Sequence, residues 1–289
     1  MSFAKALAAD AALVQQHLRH ILQDRADEPV IHAMRYAVQG GKGLRGFLVL
    51  ESARLFGLPA ARALPAAAAV EALHAYSLIH DDLPCMDDDD LRRGQPTVHR
   101  KWNDAVAVLA GDALQTLAFE LLCDPVLGGA DVRLALVRGL AVASGAQGMV
   151  LGQALDMAAE TATIALTLPQ ITALQQGKTG ALIGFAATAG AVIAGQECGP
   201  LQTYADALGL AFQIADDILD VTGNAATTGK ATGKDAAAGK ATFVSLLGLK
   251  NAQTQARSLI DQAEASLSRY GDAAQNLIAA ARFVIARDN

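Results

Sequence analysis

The sequence has few aromatic residues and few prolines, which argues against a sheet-rich fold. Aromatic residues make up 4% of the 289 residues, and only 8 residues are proline. The apolar 52% of the chain is carried largely by Ala, Leu and Val. Ala and Leu are strong helix formers, so this balance favours helices. No Ser-, Pro- or Gly-rich tract divides the chain, and we therefore predict one all-α domain over residues 1–289.

The cysteine content, the net charge and the length of the longest apolar stretch each argue against a further class of protein. The 3 cysteines have no paired short spacing, which indicates neither a disulfide framework nor a zinc site and fits a reducing cytoplasm. The net charge of -6 argues against nucleic-acid binding, which would require a basic face. The longest uncharged apolar stretch, residues 181–195, is shorter than the roughly 20 residues of a membrane span. We expect a buried helix there and no membrane span.

Helical periodicity recurs along almost the whole chain, and no alternating run of strand length competes with it. Glycine and proline pairs mark the turns between the helical stretches. The periodicity predicts helices over residues 3–24, 28–40, 44–57, 61–82, 103–123, 131–157, 168–195, 200–222, 242–269 and 272–287.

An acidic motif occurs twice, each time at the predicted end of a helix. The first is DDLPCMD at residues 81–87, followed by three more aspartates, and the second is DDILD at residues 216–220. Pro84 disfavours helical geometry at the residue before it, so the helix should end near Asp82 and a short turn could return Asp87 to Asp81. Asp216 and Asp220 are four residues apart, which puts them on one helix face.

The setting of these aspartates points to a metal rather than to a solvated surface. Asp216 and Asp217 lie between apolar residues, and carboxylates that lose hydration there need a compensating cation. Hard oxygen ligands that leave room for water and phosphate oxygens suit magnesium. Two such clusters facing one another would hold a diphosphate through Mg²⁺. The three aspartates after Asp87 fit an ordinary solvated run.

Basic residues that could orient anionic substrates flank these motifs. The turn GGKGLR at residues 40–45 opens a helix, where backbone N–H groups favour an anion, although such a turn is often only a tight connection. Arg92 and Arg93 follow the first motif, and pairing with a nearby Asp is an equally good role for one of them. His74 lies seven residues before Asp81 and so shares its helix face. The remaining candidates are Lys178, Lys230 and Lys240.

With these motifs in order, the chain resembles the short-chain trans-prenyl diphosphate synthases, and among them the bacterial farnesyl diphosphate synthases. The resemblance covers nearly the whole chain. Its landmarks, besides the two acidic motifs, are EALHAYSLIH at 71–80, LAGDAL at 109–114, GKTG at 177–180 and FQ at 212–213. It implies an isoprenoid-synthase-type helical bundle around a deep central cavity, a homodimer, and a reaction that joins isopentenyl diphosphate to an allylic diphosphate such as dimethylallyl or geranyl diphosphate.

The resemblance also implies a role for each matching residue. Asp81, Asp87 and Asp216 would ligate magnesium, about three ions per active site by analogy with the family. The isopentenyl diphosphate set is Lys42, Arg45, His74 and Arg93. The allylic diphosphate set is Arg92, Lys178, Lys230 and Lys240. Thr179 and Gln213 would lie beside the developing carbocation.

Three positions depart from the family pattern. Gly43 stands where the family usually has Arg, Gly46 where it has Pro, and Phe243 where it has Tyr. The missing arginine should weaken isopentenyl diphosphate binding without abolishing activity, because the other three cations of that set remain.

Product length is expected to depend on Tyr76 and Ser77, which precede Asp81 by five and four residues. At about 1.5 Å per residue they lie roughly one turn deeper in the cavity. A large ring at Tyr76 could block a growing tail, and the resemblance associates an aromatic residue here with a fifteen-carbon product. The alternatives are a geranylgeranyl diphosphate synthase, a class I terpene cyclase, or a non-catalytic subunit. A terpene cyclase would not need the second set of basic residues, so the presence of that set counts against this alternative.

Overall fold

The computed structural model describes residues 2–162, 164–222 and 241–286. In this part of the chain 79% of the residues are helical, which confirms the all-α prediction. The α-helices in chain order are α1 Phe3–Gln23, α2 Pro29–Ala37, α3 Leu44–Leu55, α4 Ala60–Asp81, α5 Val98–Lys101, α6 Asp104–Leu122, α7 Ala130–Ser144, α8 Met149–Glu160, α9 Leu168–Gln175, α10 Ala181–Ala194, α11 Gly199–Thr222, α12 Phe243–Leu247, α13 Leu249–Ser266 and α14 Gln275–Ala286.

Shorter elements join these helices. Strands β1 Leu91–Arg92 and β2 Gln95–Pro96 form an antiparallel hairpin that the periodicity did not predict. Pro125–Leu127 and Ser268–Ala274 form 3₁₀ turns, and Gln176–Gly180 is a π-helical segment between α9 and α10.

Three predicted helices are wrong in detail, and glycine explains two of the breaks. The predicted 131–157 helix is interrupted between α7 and α8, where a Cβ on Gly148 would lie 2.1 Å from the carbonyl oxygen of Ala143. The predicted 242–269 helix breaks at Gly248, whose φ of 77° favours glycine. The predicted 168–195 helix widens into the π-helical segment instead of continuing as α-helix.

The chain forms two compact units. The first comprises Met1–Leu140 and Ala189–Gln196. Its centre is α4, which packs against α3 and α6 and is buried on all sides at the consecutive small residues Ala66–Ala69. The end of α10 lies on α3, where the Gly190 N–H donates to Ser52 Oγ at 3.1 Å. An added Cβ on Gly190 would be 2.2 Å from the Ala53 nitrogen, so only glycine permits this approach.

The second unit comprises Ala141–Thr188 and Glu197–Asn289. Helix α11 packs against α13, and an apolar cluster of Ile171, Ile214, Phe243, Ala252 and Ala256 fills the space around it. The buried Tyr204 hydroxyl donates to the Leu277 carbonyl at 2.7 Å, which ties α11 to α14. The single domain over 1–289 and the deep central cavity stay predictions.

By length and composition alone, three helical stretches in the described residues could cross a membrane: Asp104–Leu122, Ala130–Ala159 and Leu168–Ala194. Between 33% and 56% of their most apolar windows is buried within the protein. The expected buried helix at 181–195 is present as α10, most of whose residues are buried. The expectation that no segment spans a membrane stays a prediction.

Candidate active site

The glycine-rich turn before α3 has backbone geometry that depends on glycine. Gly40, Gly41 and Gly43 have φ values of 75°, 77° and 63°, in the left-handed region that side chains with a Cβ rarely adopt. Gly43 is the N-cap of α3, and an added Cβ there would lie 2.7 Å from the Ala11 Cβ. The absence of the family's arginine at this position therefore follows from the local backbone.

Two cations of the predicted isopentenyl diphosphate set flank this turn. Lys42 is exposed and Arg45 is half-buried on the first turn of α3. Burial lowers the pKa of the Arg45 guanidinium, Glu71 opposes this shift, and Arg93 adds to it. The Nε of Arg45 is buried and has no hydrogen-bond partner among the described residues. Arg45 therefore has a donor left for a ligand.

His74 on α4 belongs to the same predicted isopentenyl diphosphate set, and its surroundings keep it neutral. Its pKa is lowered well below the usual value, first by burial and then by repulsion from Arg45, Arg93 and Arg92. A neutral imidazole offers one donor and one acceptor in a strongly cationic setting. Arg45, Arg93 and Arg92 are therefore all near enough to His74 for their charges to act on it, and the assignment of His74, Arg45 and Arg93 to isopentenyl diphosphate stays a prediction.

Arg93 reaches the same place from the β1–β2 hairpin. Its φ of 53° is positive, and its Nη1 donates to the Gln39 carbonyl at 3.3 Å. A Cβ on Gly41 would be 2.6 Å from the Arg93 guanidinium, so the arginine lies directly on the glycine turn. Beside it is a cavity of about 540 Å³ whose wall includes Gly40, Gly41, Arg92 and Arg93. The cavity has room and positive charge for a small diphosphate.

The first acidic motif folds as its proline predicts. Helix α4 ends at Asp81 with Asp82 as C-cap, and the Asp87 N–H donates to the Asp81 carbonyl at 2.9 Å. The Met86 and Asp88 N–H groups both donate to the Leu83 carbonyl, at 2.9 and 3.2 Å, and close the turn. The predicted return of Asp87 to Asp81 is therefore confirmed.

Arg92 pairs with the aspartates of this motif, the alternative that its sequence position left open. Its guanidinium donates to the buried carboxylate of Asp82 and lies 3.7 Å from Asp89. Burial raises the pKa of Asp82 and outweighs the opposing effect of Arg92. Burial acts to lower the pKa of Arg92, but the bond to Asp82 raises it overall. Asp82 thus holds the arginine in place.

Tyr76 lies on α4 and is 8% exposed. Its ring meets the His80 ring edge-on, with centroids 5.1 Å apart. His80 Nε2 is 3.1 Å from the Val108 carbonyl, and a Cβ on Gly111 would lie 2.1 Å from that same nitrogen. Burial, followed by Asp81 and Asp112, raises the pKa of the Tyr76 hydroxyl. The neighbouring Ser77 hydroxyl donates to the His74 carbonyl at 2.9 Å.

In the second unit, Lys178 and Thr179 lie on the π-helical segment. Such widened turns often occur at functional sites. The Lys178 Nζ donates to Asp156 Oδ2 on α8 at 2.6 Å. The Thr179 hydroxyl donates to Gln213 Oε1 on α11 at 3.2 Å, so two residues predicted to act together are in contact.

The second acidic motif lies on the last turns of α11, and one expectation about it is wrong. Asp216 is exposed, so its carboxylate is not short of hydration. Asp217 is half-buried, and its Oδ2 accepts the Phe243 N–H at 2.6 Å. Asp217 therefore fixes the start of α12, which leaves Asp216 and Asp220 as the motif's candidate ligands. Lys230 and Lys240 lie outside the described residues.

The other two departures from the family pattern also have local explanations. Phe243 is fully buried in an apolar cluster, where a tyrosine hydroxyl would need a partner. The Gly46 N–H donates to Glu71 Oε1 at 2.8 Å, a bond that proline cannot make.

The donor set fits magnesium that completes its shell with substrate oxygens. Within the described residues, no group of three or more His, Cys, Asp or Glu side chains is arranged to hold a metal ion. Asp81 and Asp87, joined by the turn, offer carboxylate oxygens of the kind that magnesium takes together with water and phosphate.

Sequence reasoning missed Asp156 and Glu71, each of which contacts or influences a predicted site residue. A signal for Asp156 was present, because it is the single charged residue between Arg138 and Glu160. A lone carboxylate in so apolar a helical run needs a partner.

Comparison with known proteins identifies the family. The polyprenyl synthetase family model matches residues 27–278. The chain belongs to the polyprenyl synthetase family. It is 50% identical to farnesyl diphosphate synthase of Escherichia coli over 84% of this chain and 83% of that one. It is 39% identical to the chloroplastic geranylgeranyl pyrophosphate synthase of Catharanthus roseus over 97% of this chain and 77% of that one.

Solved structures agree with this membership. A crystal structure described as an FPP/GFPP synthase from Zymomonas mobilis superposes with a TM-score of 0.90 at 47% identity, covering 98% of both chains. The isoprenoid-synthase-type fold and the prenyltransferase class predicted from the motifs are therefore confirmed.

Proposed function

We propose that this prenyltransferase is a magnesium-dependent farnesyl diphosphate synthase. It would add isopentenyl diphosphate first to dimethylallyl and then to geranyl diphosphate. The observation that carries the proposal is that cations occur in two sets, the arginines near His74, Arg92 among them, and Lys178 beside Asp156. Two diphosphate substrates need two such sets, whereas a terpene cyclase binds one diphosphate.

The acceptor set consists of Lys42, Arg45, His74 and Arg93. The mutual repulsion of its charges and the unpartnered Arg45 Nε support a role in binding a doubly charged anion. Neutral His74 can donate to a phosphate oxygen without adding to that repulsion. Held there, isopentenyl diphosphate would present its double bond to the allylic carbon in a fixed orientation.

The allylic diphosphate would be held by Lys178, by Arg92 and by the two lysines outside the described residues. Magnesium bound by Asp81, Asp87 and Asp216 would neutralise the leaving diphosphate and so ease cleavage of the C–O bond. The paired dipoles of Thr179 and Gln213 would face the developing allylic cation and stabilise it. A proton leaves the adduct at the end, and the released diphosphate is the base.

The product is proposed to be farnesyl rather than geranylgeranyl diphosphate. Tyr76 is buried and braced by His80, so it can act as a rigid stop for a growing tail. Among the relatives, the farnesyl diphosphate synthase of Haemophilus influenzae is 44% identical over 83% of this chain. A geranylgeranyl product is the alternative, because the Catharanthus relative is similar over nearly the whole chain.

We propose that the enzyme acts in the cytoplasm as a homodimer. Each unit exposes large apolar side chains, among them Leu109 and Leu134 in the first unit, at 53% and 67% exposure. Exposed apolar residues of this kind are typical of protein–protein interfaces. A second copy of the chain is the partner that this proposal assigns to them.

The metal and its ligands can be tested by isopentenyl diphosphate consumption. Asp81→Ala and Asp216→Ala are expected to reduce turnover at least about 100-fold with the fold intact, because each removes a proposed metal ligand. Chelation of divalent ions should stop the parental enzyme, and magnesium should restore it. Asp88→Asn is the matched control, since Asn tolerates its φ of 50°. Near-parental turnover of either alanine variant in saturating magnesium would remove that residue from the ligand set.

A further inference from the structure

Lys178 has a partner that none of the predicted roles include. We propose that Asp156 is a positioning residue that holds the Lys178 ammonium in place for the allylic diphosphate. The Lys178 Nζ donates to Asp156 Oδ2 at 2.6 Å, and the two side chains are 27% and 16% exposed. The inference rests on the proposed function, because it deepens the role of that lysine.

The main chain of Lys178 is set by the same face of α8. A Cβ on Gly152 would lie 2.0 Å from the Lys178 nitrogen, so the π-helical segment rests directly on that glycine. Asp156 follows Gly152 by four residues and therefore lies one turn along the same face. Gly152 fixes the backbone of the lysine and Asp156 fixes the end of its side chain.

This arrangement leaves the lysine able to bind an anion. An ammonium group has three N–H donors, and one of them is given to Asp156. The other two remain for diphosphate oxygens. A lysine has several rotatable bonds, and a side chain that is ordered before binding loses less conformational freedom when the substrate arrives. Asp156 thus makes binding more favourable by ordering Lys178 in advance.

The sign of the effect separates this role from simple electrostatics. The Asp156 carboxylate repels a diphosphate, so removing its charge should tighten anion binding if charge alone mattered. If Asp156 acts by holding Lys178, removing it should weaken binding. The two accounts predict opposite changes in the same measurement.

The test compares Asp156→Ala and Asp156→Asn in the parental and the Lys178→Ala backgrounds. We expect Asp156→Ala to raise the KM for geranyl diphosphate about 10-fold while the KM for isopentenyl diphosphate changes less than about 2-fold. Asp156→Asn should have a smaller effect, because its amide oxygen still accepts one N–H. In the Lys178→Ala background, Asp156→Ala should add less than about 2-fold. Asp261→Ala, an exposed change on α13, is the matched control.

A second measurement does not depend on turnover. Calorimetric binding of inorganic diphosphate in magnesium should weaken about 10-fold in Asp156→Ala. Unchanged or tighter binding, or an equal loss in the Lys178→Ala background, would overturn the inference. If Asp156→Ala fails to fold by circular dichroism, Asp156→Asn decides by the sign of its effect: weaker diphosphate binding supports the inference, and unchanged or tighter binding overturns it. If Asp156 and Lys178 together strengthen diphosphate binding but the protein makes no prenyl product, the inference stands and the proposed function is overturned.

Discussion

At the residue scale, the division of the cations between two substrates has consequences for kinetics. Arg45→Ala and Arg93→Ala are expected to raise the KM for isopentenyl diphosphate more than the KM for the allylic substrate. Lys178→Ala should do the reverse. A hydrogen bond to a charged group contributes about 1.5–3 kcal/mol, so each effect should be about 10- to 100-fold. Steady-state kinetics with both substrates varied would measure this, and equal effects on both would contradict the division.

His74 makes a second residue-scale prediction, on the dependence of stability on pH. Its pKa is depressed in the folded state by burial and by neighbouring arginines. As the pH falls through the unfolded-state value of about 6.5, the unfolded chain binds a proton that the folded chain does not, so acid favours unfolding. We expect His74→Gln to lose less of its free energy of unfolding between pH 7.5 and 5.5 than the parent.

Denaturant titrations at the two pH values would measure this difference. The effect of acid on Asp82 is present in both proteins and cancels in the comparison. Identical losses in parent and variant would mean that His74 titrates normally in the folded protein.

Some site residues could be predicted individually and others could not. Proline placement predicted that Asp87 returns to Asp81, because its effect is local. The pairing of Asp217 with the Phe243 N–H joins residues 26 positions apart and has no local signature. Asp217 was therefore expected to need a compensating cation, although it accepts a backbone N–H at the start of a helix.

At the element scale, the packing of α4 against α6 determines the product-length prediction. Gly111 allows His80 to approach α6, and His80 in turn supports the Tyr76 ring. Tyr76→Ala should remove the stop and shift the main product to longer chains. Tyr76→Phe is the control, because it keeps the ring and loses only the hydroxyl. Chromatography of the dephosphorylated products would reveal the shift, and an unchanged distribution in Tyr76→Ala would mean that another residue limits the length.

Half of the ten predicted helices match closely, since α1, α3, α4, α6 and α11 each begin and end within two residues of the expected positions. The interruptions of the helices were harder to predict, because a glycine is tolerated within a helix and its φ depends on the residues that pack against it. The π-helical segment at Lys178 is such a case. The segment packs against Gly152, which lies 26 residues before Lys178 in sequence and so gives no local signal.

At the scale of the whole molecule, family membership and fold could be predicted from the order of the motifs. The single domain, the homodimer, the cytoplasmic location and the length of the product stay predictions. Composition alone leaves the location open, since three helical stretches of the described chain are apolar enough for a membrane.

The central claim is that the chain makes farnesyl diphosphate from isopentenyl and dimethylallyl diphosphates. The most direct measurement incubates the purified protein with both substrates and magnesium, removes the phosphates, and separates the resulting alcohols by chromatography. The account predicts the fifteen-carbon alcohol farnesol as the main product, and none after chelation of the metal. Mostly twenty-carbon alcohol, or a cyclic hydrocarbon, would contradict it.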